Sequence, residues 1–206
     1  MALDTNTQTR IDLIAVADLV QEGSRVLDVG CGEGELLELL RDKRQVDGRG
    51  VELSQAGVNA CVARGLSVVQ GDADRDLGDY PDDSFDYVIL SQTIQATRNP
   101  REVLGQMKRI GRRVVVSFPN FCHWKIRLQL LLSGRMPVTR TLADEWYDTP
   151  NIHLCTVRDF LDLCETEHLA IEKTLMLAGE KSWTEHNPGA RANLRAEQAV
   201  FLLYRK

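Results

Sequence analysis

Short apolar runs and segments of helical period alternate along this chain between about residues 10 and 119. Ile11, Ile14, Ala17 or Asp18, and Val20 mark a first helix over 10–21, and the run 25–29 reads as a strand. Leu36, Leu37, Leu39 and Leu40 put one apolar stripe on a helix predicted from about Glu33 to Lys43, followed by a strand over 47–52. Ser54 can cap a helix running to about Arg64, where Val58, Cys61 and Val62 keep the i, i+3, i+4 spacing and Gly65 closes the element. Strands follow at 66–69 and 85–90, separated by an acidic, turn-rich loop. Asn99-Pro100 predicts the next helix start, with Val103, Leu104, Met107 and Ile110 as its buried stripe. The segment 114–118 then reads as a fifth strand, ended by Pro119.

Strands alternating with helices at this spacing predict a Rossmann-like, doubly wound α/β fold with right-handed crossovers. Two late strands are expected at 170–177 and 198–204, with no clear helical period in the polar segment 179–196 between them. They are expected to form an antiparallel hairpin at one edge, which makes a mostly parallel seven-stranded sheet. The whole chain, 1–206, is expected to be a single domain with an insertion at about 121–156. In that insertion Trp124, Leu128, Leu131 and Leu132 fall at i, i+4, i+7 and i+8, one stripe of a short helix ended by Gly134. The stripe fits burial against the sheet, a lid over a pocket, or docking of a partner. Thr156 with Asp159 three residues on has the capping-box spacing for one more helix.

Composition narrows the class. Of the 206 residues 43% are hydrophobic and 27% charged, ordinary for a globular protein. No apolar run approaches the ~20 residues that cross a bilayer, and the polar start, Met1 to Thr9, lacks a secretory pattern. Five cysteines (31, 61, 122, 155 and 164) form no C-x-x-C pair, which suits free thiols in a reducing cytoplasm. A net charge of −5 argues against general nucleic-acid affinity. Arg98, Arg101, Lys108, Arg109, Arg112 and Arg113 gather on one helix and its exit, and read as a solvated face rather than a phosphate patch.

The candidate chemistry lies at the predicted strand ends. Asp28-Val29-Gly30-Cys31-Gly32-Glu33-Gly34 is a glycine-rich strand-to-helix turn that lets backbone approach a ligand closely, with free N–H groups of the following helix aimed at it. Glu52 ends the second strand about 20 residues on, where a carboxylate can accept from two ribose hydroxyls. Asp72, one strand further out, can accept from an exocyclic adenine amine. A nicotinamide fingerprint would need glycine where Glu35 stands, and a pyrophosphate would meet Asp28, Glu33 and Glu35 with no nearby cation. A ligand without phosphates, carrying an amine and a sulfonium, fits this acidic rim better. A degenerate nucleotide-binding scaffold that has lost its ligand is the competing reading. Cys31 reads as a small residue in the turn rather than a nucleophile, since no base lies nearby in sequence.

The pattern Asp28-x-Gly30-x-Gly32-x-Gly34 with Glu52 and Asp72 resembles the class I S-adenosylmethionine-dependent methyltransferase fold. That resemblance implies S-adenosylmethionine or S-adenosylhomocysteine as ligand, held at Asp28, Gly30, Cys31, Gly32 and Gly34. Glu52 with Leu53, Asp72 with Ala73, and Ser91 with Gln92 complete the implied set. Three further segments, 91–95, 118–124 and 146–156, together resemble the bacterial methionine biosynthesis family MetW, from about residue 10 to the C-terminus. This family resemblance implies a companion to a homoserine O-acyltransferase of the α/β-hydrolase type, acting in the first committed step of methionine synthesis.

Catalytic signatures are thin. The fourth strand runs into Ser91-Gln92-Thr93, not into an acidic or Asn residue before Pro-Pro-aromatic, and there is no Pro-Cys nucleophile. Gln92, Thr93 and Gln95 are poor proton acceptors, so His123 and His153 are the candidate bases, with Tyr147 able to help position an acceptor. Both histidines also have ordinary structural readings. Cys122-His123 and His153-x-Cys155 match no common zinc spacing, and no metal is expected. Two functions stand: a ligand-binding subunit acting with the acyltransferase through the insertion, or a methyltransferase acting on a small molecule.

Overall fold

The computed structural model describes residues 10–206, and the segment Met1–Thr9 read above lies outside the described residues. After α1 (Ile11–Ala17), five strands lie parallel: β1 (Arg25–Val29), β2 (Asp47–Glu52), β3 (Ser67–Gln70), β4 (Phe85–Ser91) and β5 (Gly111–Pro119). Between them run α2 (Glu35–Arg44), α3 (Gln55–Ala63) and α4 (Pro100–Ile110). The rest of the chain adds α5 (Trp124–Ser133), α6 (Val157–Thr166), β6 (Leu169–Ala178), β7 (Lys181–Thr184), α7 (Ala190–Arg195) and β8 (Gln198–Arg205).

The sheet order is β3-β2-β1-β4-β5-β8-β6-β7. β1 and β4 are therefore the strands at which the winding reverses, the place where open α/β sheets bind ligands beyond the carboxyl ends of their strands. Successive side chains of a strand point to opposite faces, so β1 feeds both cores. Val26 packs with Leu13, Val16, Leu36 and Leu40 beneath α1 and α2, whereas Leu27 and Val29 join Leu104, Met107 and Phe160 beneath α4 and α6. On that second side Phe160 lies 4.8 Å, centroid to centroid, from both Phe118 and Phe201, tying α6 to β5 and β8.

Several expectations change. The sheet has eight strands, not seven. Within 179–196 the chain forms β7 after a turn at Gly179 (φ +58°), and then α7. β7 is four residues long and largely exposed, too short and too polar to show a period in sequence. The two late strands do pair antiparallel, but β8 lies inside the sheet between β5 and β6, and β7 forms the edge. α2 starts at Glu35, not Glu33, because Gly34 still holds a left-handed conformation at φ +84°. α1 ends at Ala17 and continues only as turns. The Asn99 side chain makes no cap bond; the Asp74 carboxylate instead accepts from the N–H groups of Arg98 (2.9 Å) and Asn99 (2.8 Å). Ser54 and Thr156 cap as expected, accepting from Gly57 and Asp159.

The basic residues of α4 and its exit are tied to neighbours. Arg101 and Lys108 pair with Glu167, Arg112 with Asp86 and Arg113 with Glu172, while Arg109 reaches the carbonyls of Leu77 and Tyr80. The excursion between β5 and α6 turns its leucines outward: Ile126 is the buried residue of α5, and the stripe of Trp124, Leu128, Leu131 and Leu132 is exposed. No helix among the described residues is long and apolar enough to cross a membrane.

Candidate functional site

The turn after β1 is built from three glycines with positive φ: Gly30 (+71°), Gly32 (+57°) and Gly34 (+84°). A side chain at Gly30 would put its Cβ 2.6 Å from Thr93 Cγ2, and one at Gly34 would strike Leu66 and Cys61. Gly32 has nothing within 4 Å of its Cβ position and faces open space. The turn is pinned from β2, where Val51 O accepts from both Gly30 N (2.7 Å) and Cys31 N (3.2 Å). Glu52 completes the clasp: its Oε2 accepts from Gly32 N and its Oε1 from Ser54 N, both at 2.8 Å. A carboxylate has about four lone-pair positions, so both oxygens retain capacity toward hydroxyl donors.

Asp28 is the least comfortable group in this region. It is 2% exposed, and its Oδ1 has no hydrogen-bond partner. Burial first, and the nearby Glu52 charge second, push its pKa up to about 7. An unpartnered buried carboxylate is costly unless something cationic answers it.

The other candidate residues stand at the carboxyl ends of β2, β3 and β4. Asp72 is half-buried, and its Oδ1 accepts from Asp74 N (2.9 Å), which fixes the turn that carries Ala73. Leu53 is exposed next to Glu52, and its carbonyl accepts from Gln70 Nε2 at 3.2 Å. At the tip of β4 Ser91 Oγ lies 3.2 Å from Ser117 Oγ. Gln92 takes a left-handed φ of +55°, held by its N–H to Ser117 O (3.0 Å) and by Gln95 Nε2 on its own carbonyl (2.7 Å). The thiol of Cys31 is buried behind the turn; desolvation and the Asp28 charge push its pKa up and keep it protonated.

The three residues considered for catalysis all come from the excursion between β5 and α6. His123 is 5% exposed at the root of the excursion, with its pKa lowered mainly by burial and further by Lys125, against the opposing pull of Glu197. His153 is exposed; its backbone N–H, like that of Ile152, donates to Gln95 O at 2.9 Å. Tyr147 is exposed and packs edge-on against Trp146. A cavity of about 670 Å³ opens beside Gln92, and none of the three lines it. Its walls instead carry Arg10, Asp12, Arg140, Glu180 and Glu197, which sequence reasoning did not single out. No local spacing marks them, because they come from α1, the excursion, the β6–β7 turn and the start of β8. Arg10 pairs with Asp12 and Glu35, and Arg140 with Glu197. Among the described residues no group of three or more His, Cys, Asp or Glu is placed to hold a metal ion.

The N–H groups of Gly30, Cys31, Gly32 and Gly34 are taken by Val51 O, Glu52 and Cys31 O, so what the turn offers a ligand is close approach to its backbone, while the three acids around it favour hydroxyl, amine and cationic groups. The profile of the family described as "Methionine biosynthesis protein MetW" matches residues 10–203. The chain belongs to the MetW family. The "Bifunctional methionine biosynthesis protein MetXA/MetW" of Rhodopirellula baltica is 33% identical over 217 residues, covering 100% of this chain and 34% of that protein. The chain thus spans about a third of that relative's length. Among solved structures, a "SAM-dependent methyltransferase, possible histamine N-methyltransferase" from Thermotoga maritima superposes with a TM-score of 0.68 at 17% identity, covering 95% of this chain and 87% of that one. The "[4+2]-Cyclase SpnF" superposes with a TM-score of 0.66 at 17% identity, covering 94% and 80%. At such identities the likeness shows the fold alone. One neighbour being a cyclase illustrates that this MetW chain's fold does not by itself name a reaction.

Proposed function

We propose that the strand tips bind S-adenosylmethionine or S-adenosylhomocysteine, and that the protein acts with a homoserine O-acyltransferase in the first committed step of methionine synthesis. The observation that carries the ligand reading is Asp28: a buried, unpartnered carboxylate beside an open glycine turn that Glu52 already holds in shape. Asp28 would answer the positive charge of the ligand, Glu52 the ribose hydroxyls and Asp72 the exocyclic amine. Leu53 and Ala73 would flank the adenine, with Ser91 and Gln92 at the far wall. The bound molecule would supply a sulfonium methyl group or, as the demethylated form, a product signal. The partnership is supported by the relative that carries MetXA and MetW in one polypeptide.

A binding role is favoured over methyl transfer by the make-up of the cavity beside Gln92. Its titratable walls include ion pairs already made, and Glu197 is held as a carboxylate. Burial raises that acid's pKa, but the N–H of Gly179 and the charges of His123, Arg140 and Lys125 outweigh it and lower it overall. A group so stabilised in its charged form is a weak proton acceptor. The second reading, transfer to a small acceptor, draws on the size of the same cavity.

Calorimetric titration with both ligand forms tests the first half, with Glu52→Ala as the control; no heat with either form defeats it. Assay of the acyltransferase with and without this protein tests the second half, and an unchanged rate with no co-purification defeats that. Accumulation of S-adenosylhomocysteine from S-adenosylmethionine and cell metabolites would establish methyl transfer instead.

A further inference from the structure

We propose that the outward face of α5, together with the Trp146–Tyr147 pair, is the surface on which the acyltransferase docks, an inference that rests on the partnership proposed above. Trp124, Leu128, Leu131 and Leu132 lie along one side of α5 and are 47%, 44%, 81% and 75% exposed. An amphipathic helix on a globular protein ordinarily turns such a stripe to its core, yet here Ile126, on another side, is the buried residue. Trp146 and Tyr147 stand 69% and 66% exposed, their rings 5.6 Å apart at 87°. Ten of the sixteen large hydrophobic side chains exposed among the described residues belong to residues 124–154. A stable interface takes about 800 Å² per partner, drawn from roughly 20–30 residues a side, so a segment that exposes ten large apolar side chains can supply a substantial share of one. Aromatic anchors beside aliphatic ones are the side chains that dominate interface energetics.

The two ends of the excursion are also held in place, which limits the freedom lost on docking. Asn120 is fully buried at its root: its Nδ2 donates to Asn193 O and Ala196 O, and its Oδ1 accepts from Cys122 N and Val157 N. Phe121 N donates to Cys155 O, closing the two ends of the excursion on each other. Further along the same excursion, Arg140 and Thr141 line the cavity beside Gln92.

The occupant is argued from the bifunctional relative. There a MetW part matching this whole chain shares one polypeptide with a MetXA part, and 34% of that protein accounts for the match. Fusion keeps the two parts at high effective concentration, an advantage only if they touch. An apolar face that finds no cover among the described residues is the surface such contact would use.

The test is a binding titration between this protein and the homoserine O-acyltransferase of the same genome, with size measured by light scattering. Leu131→Glu/Leu132→Glu alters two side chains that fill no core, and Val62→Glu on α3 is a control at another exposed apolar residue, toward the other end of the sheet. We expect the wild type and Val62→Glu to bind alike, and the double variant to bind at least tenfold more weakly with an unchanged melting temperature. Equal binding by the double variant overturns the surface and leaves the partnership standing. No binding by the wild type overturns the partnership and this inference with it. A self-dimer that the double variant dissolves assigns the face to a second copy of the chain and likewise overturns the proposal.

Discussion

Glu52 Oε2 accepts a 2.8 Å hydrogen bond from the N–H of Gly32, so the acid at the tip of β2 props open the turn that follows β1. The second oxygen holds Ser54 N and with it the start of α3. One carboxylate thus fixes two of the walls between which a nucleoside would lie. Glu52→Ala should lower stability by about 1–2 kcal/mol, as expected for losing charge-assisted bonds on a half-exposed group. The same change should weaken S-adenosylmethionine binding at least tenfold. Melting curves and titration calorimetry read the two effects separately; binding at wild-type strength would remove Glu52 from the site.

Asp28 predicts a pH dependence of defined sign. Its pKa rises from 3.8 to about 7 on folding, so between those values the native state holds a proton that the unfolded state has released. Stability contributed by this group is therefore full below about pH 4, and is lost as pH rises toward and through 7. At about 1.4 kcal/mol per unit the loss amounts to a few kcal/mol. Asp28→Asn should lack that decline and melt above the wild type at pH 8. A cationic ligand favours the ionised form, so its binding to the wild type should strengthen as pH rises through 7 and should release protons. Calorimetry in two buffers of different ionisation enthalpy detects that release, and its absence would show Asp28 already ionised.

The glycines differ sharply in what they tolerate. At Gly30 the φ of +71° and a Cβ 2.6 Å from Thr93 make alanine a double misfit, costing roughly 2 kcal/mol or more. Gly105, inside α4, has nothing within 4 Å of its Cβ position and no left-handed φ. Gly105→Ala should stabilise the protein by about 0.5–1 kcal/mol. Urea unfolding of the two variants should bracket the wild type, and a destabilised Gly105→Ala would contradict the packing described around α4.

Asn120→Ala should cost about 2–3 kcal/mol, because it takes the side-chain donor from the buried carbonyls of Asn193 and Ala196 and an acceptor from Cys122 N, while Val157 N keeps its bond to Asn193 Oδ1. The loosened root should also expose 121–156 to limited proteolysis while the strands resist. Cleavage elsewhere first would show that the excursion is held by other contacts.

The candidate site was largely legible because its parts are local. Gly30, Gly32 and Gly34 name a turn by identity alone, and Glu52 and Asp72 follow apolar runs whose ends can be counted. What sequence did not show is that Glu52 bonds Gly32, since a bond across two strands leaves no mark in either. Arg10, Arg140 and Glu197 were missed for the same reason: they meet around one cavity from three distant parts of the chain. Asn120 stood out only as part of a family-like segment, and its role as a clamp emerged from partners 37 to 76 residues away.

By itself the sequence determined the alternation of strand and helix, the glycine turn and the acids at the strand tips, all of them properties of short windows where period and residue identity suffice. Tertiary structure alone decided that β8 enters the sheet between β5 and β6, that β7 forms the edge, and that the leucines of α5 face outward. An apolar stripe records that a surface avoids water. Which surface covers it depends on where the rest of the chain, or another chain, comes to lie.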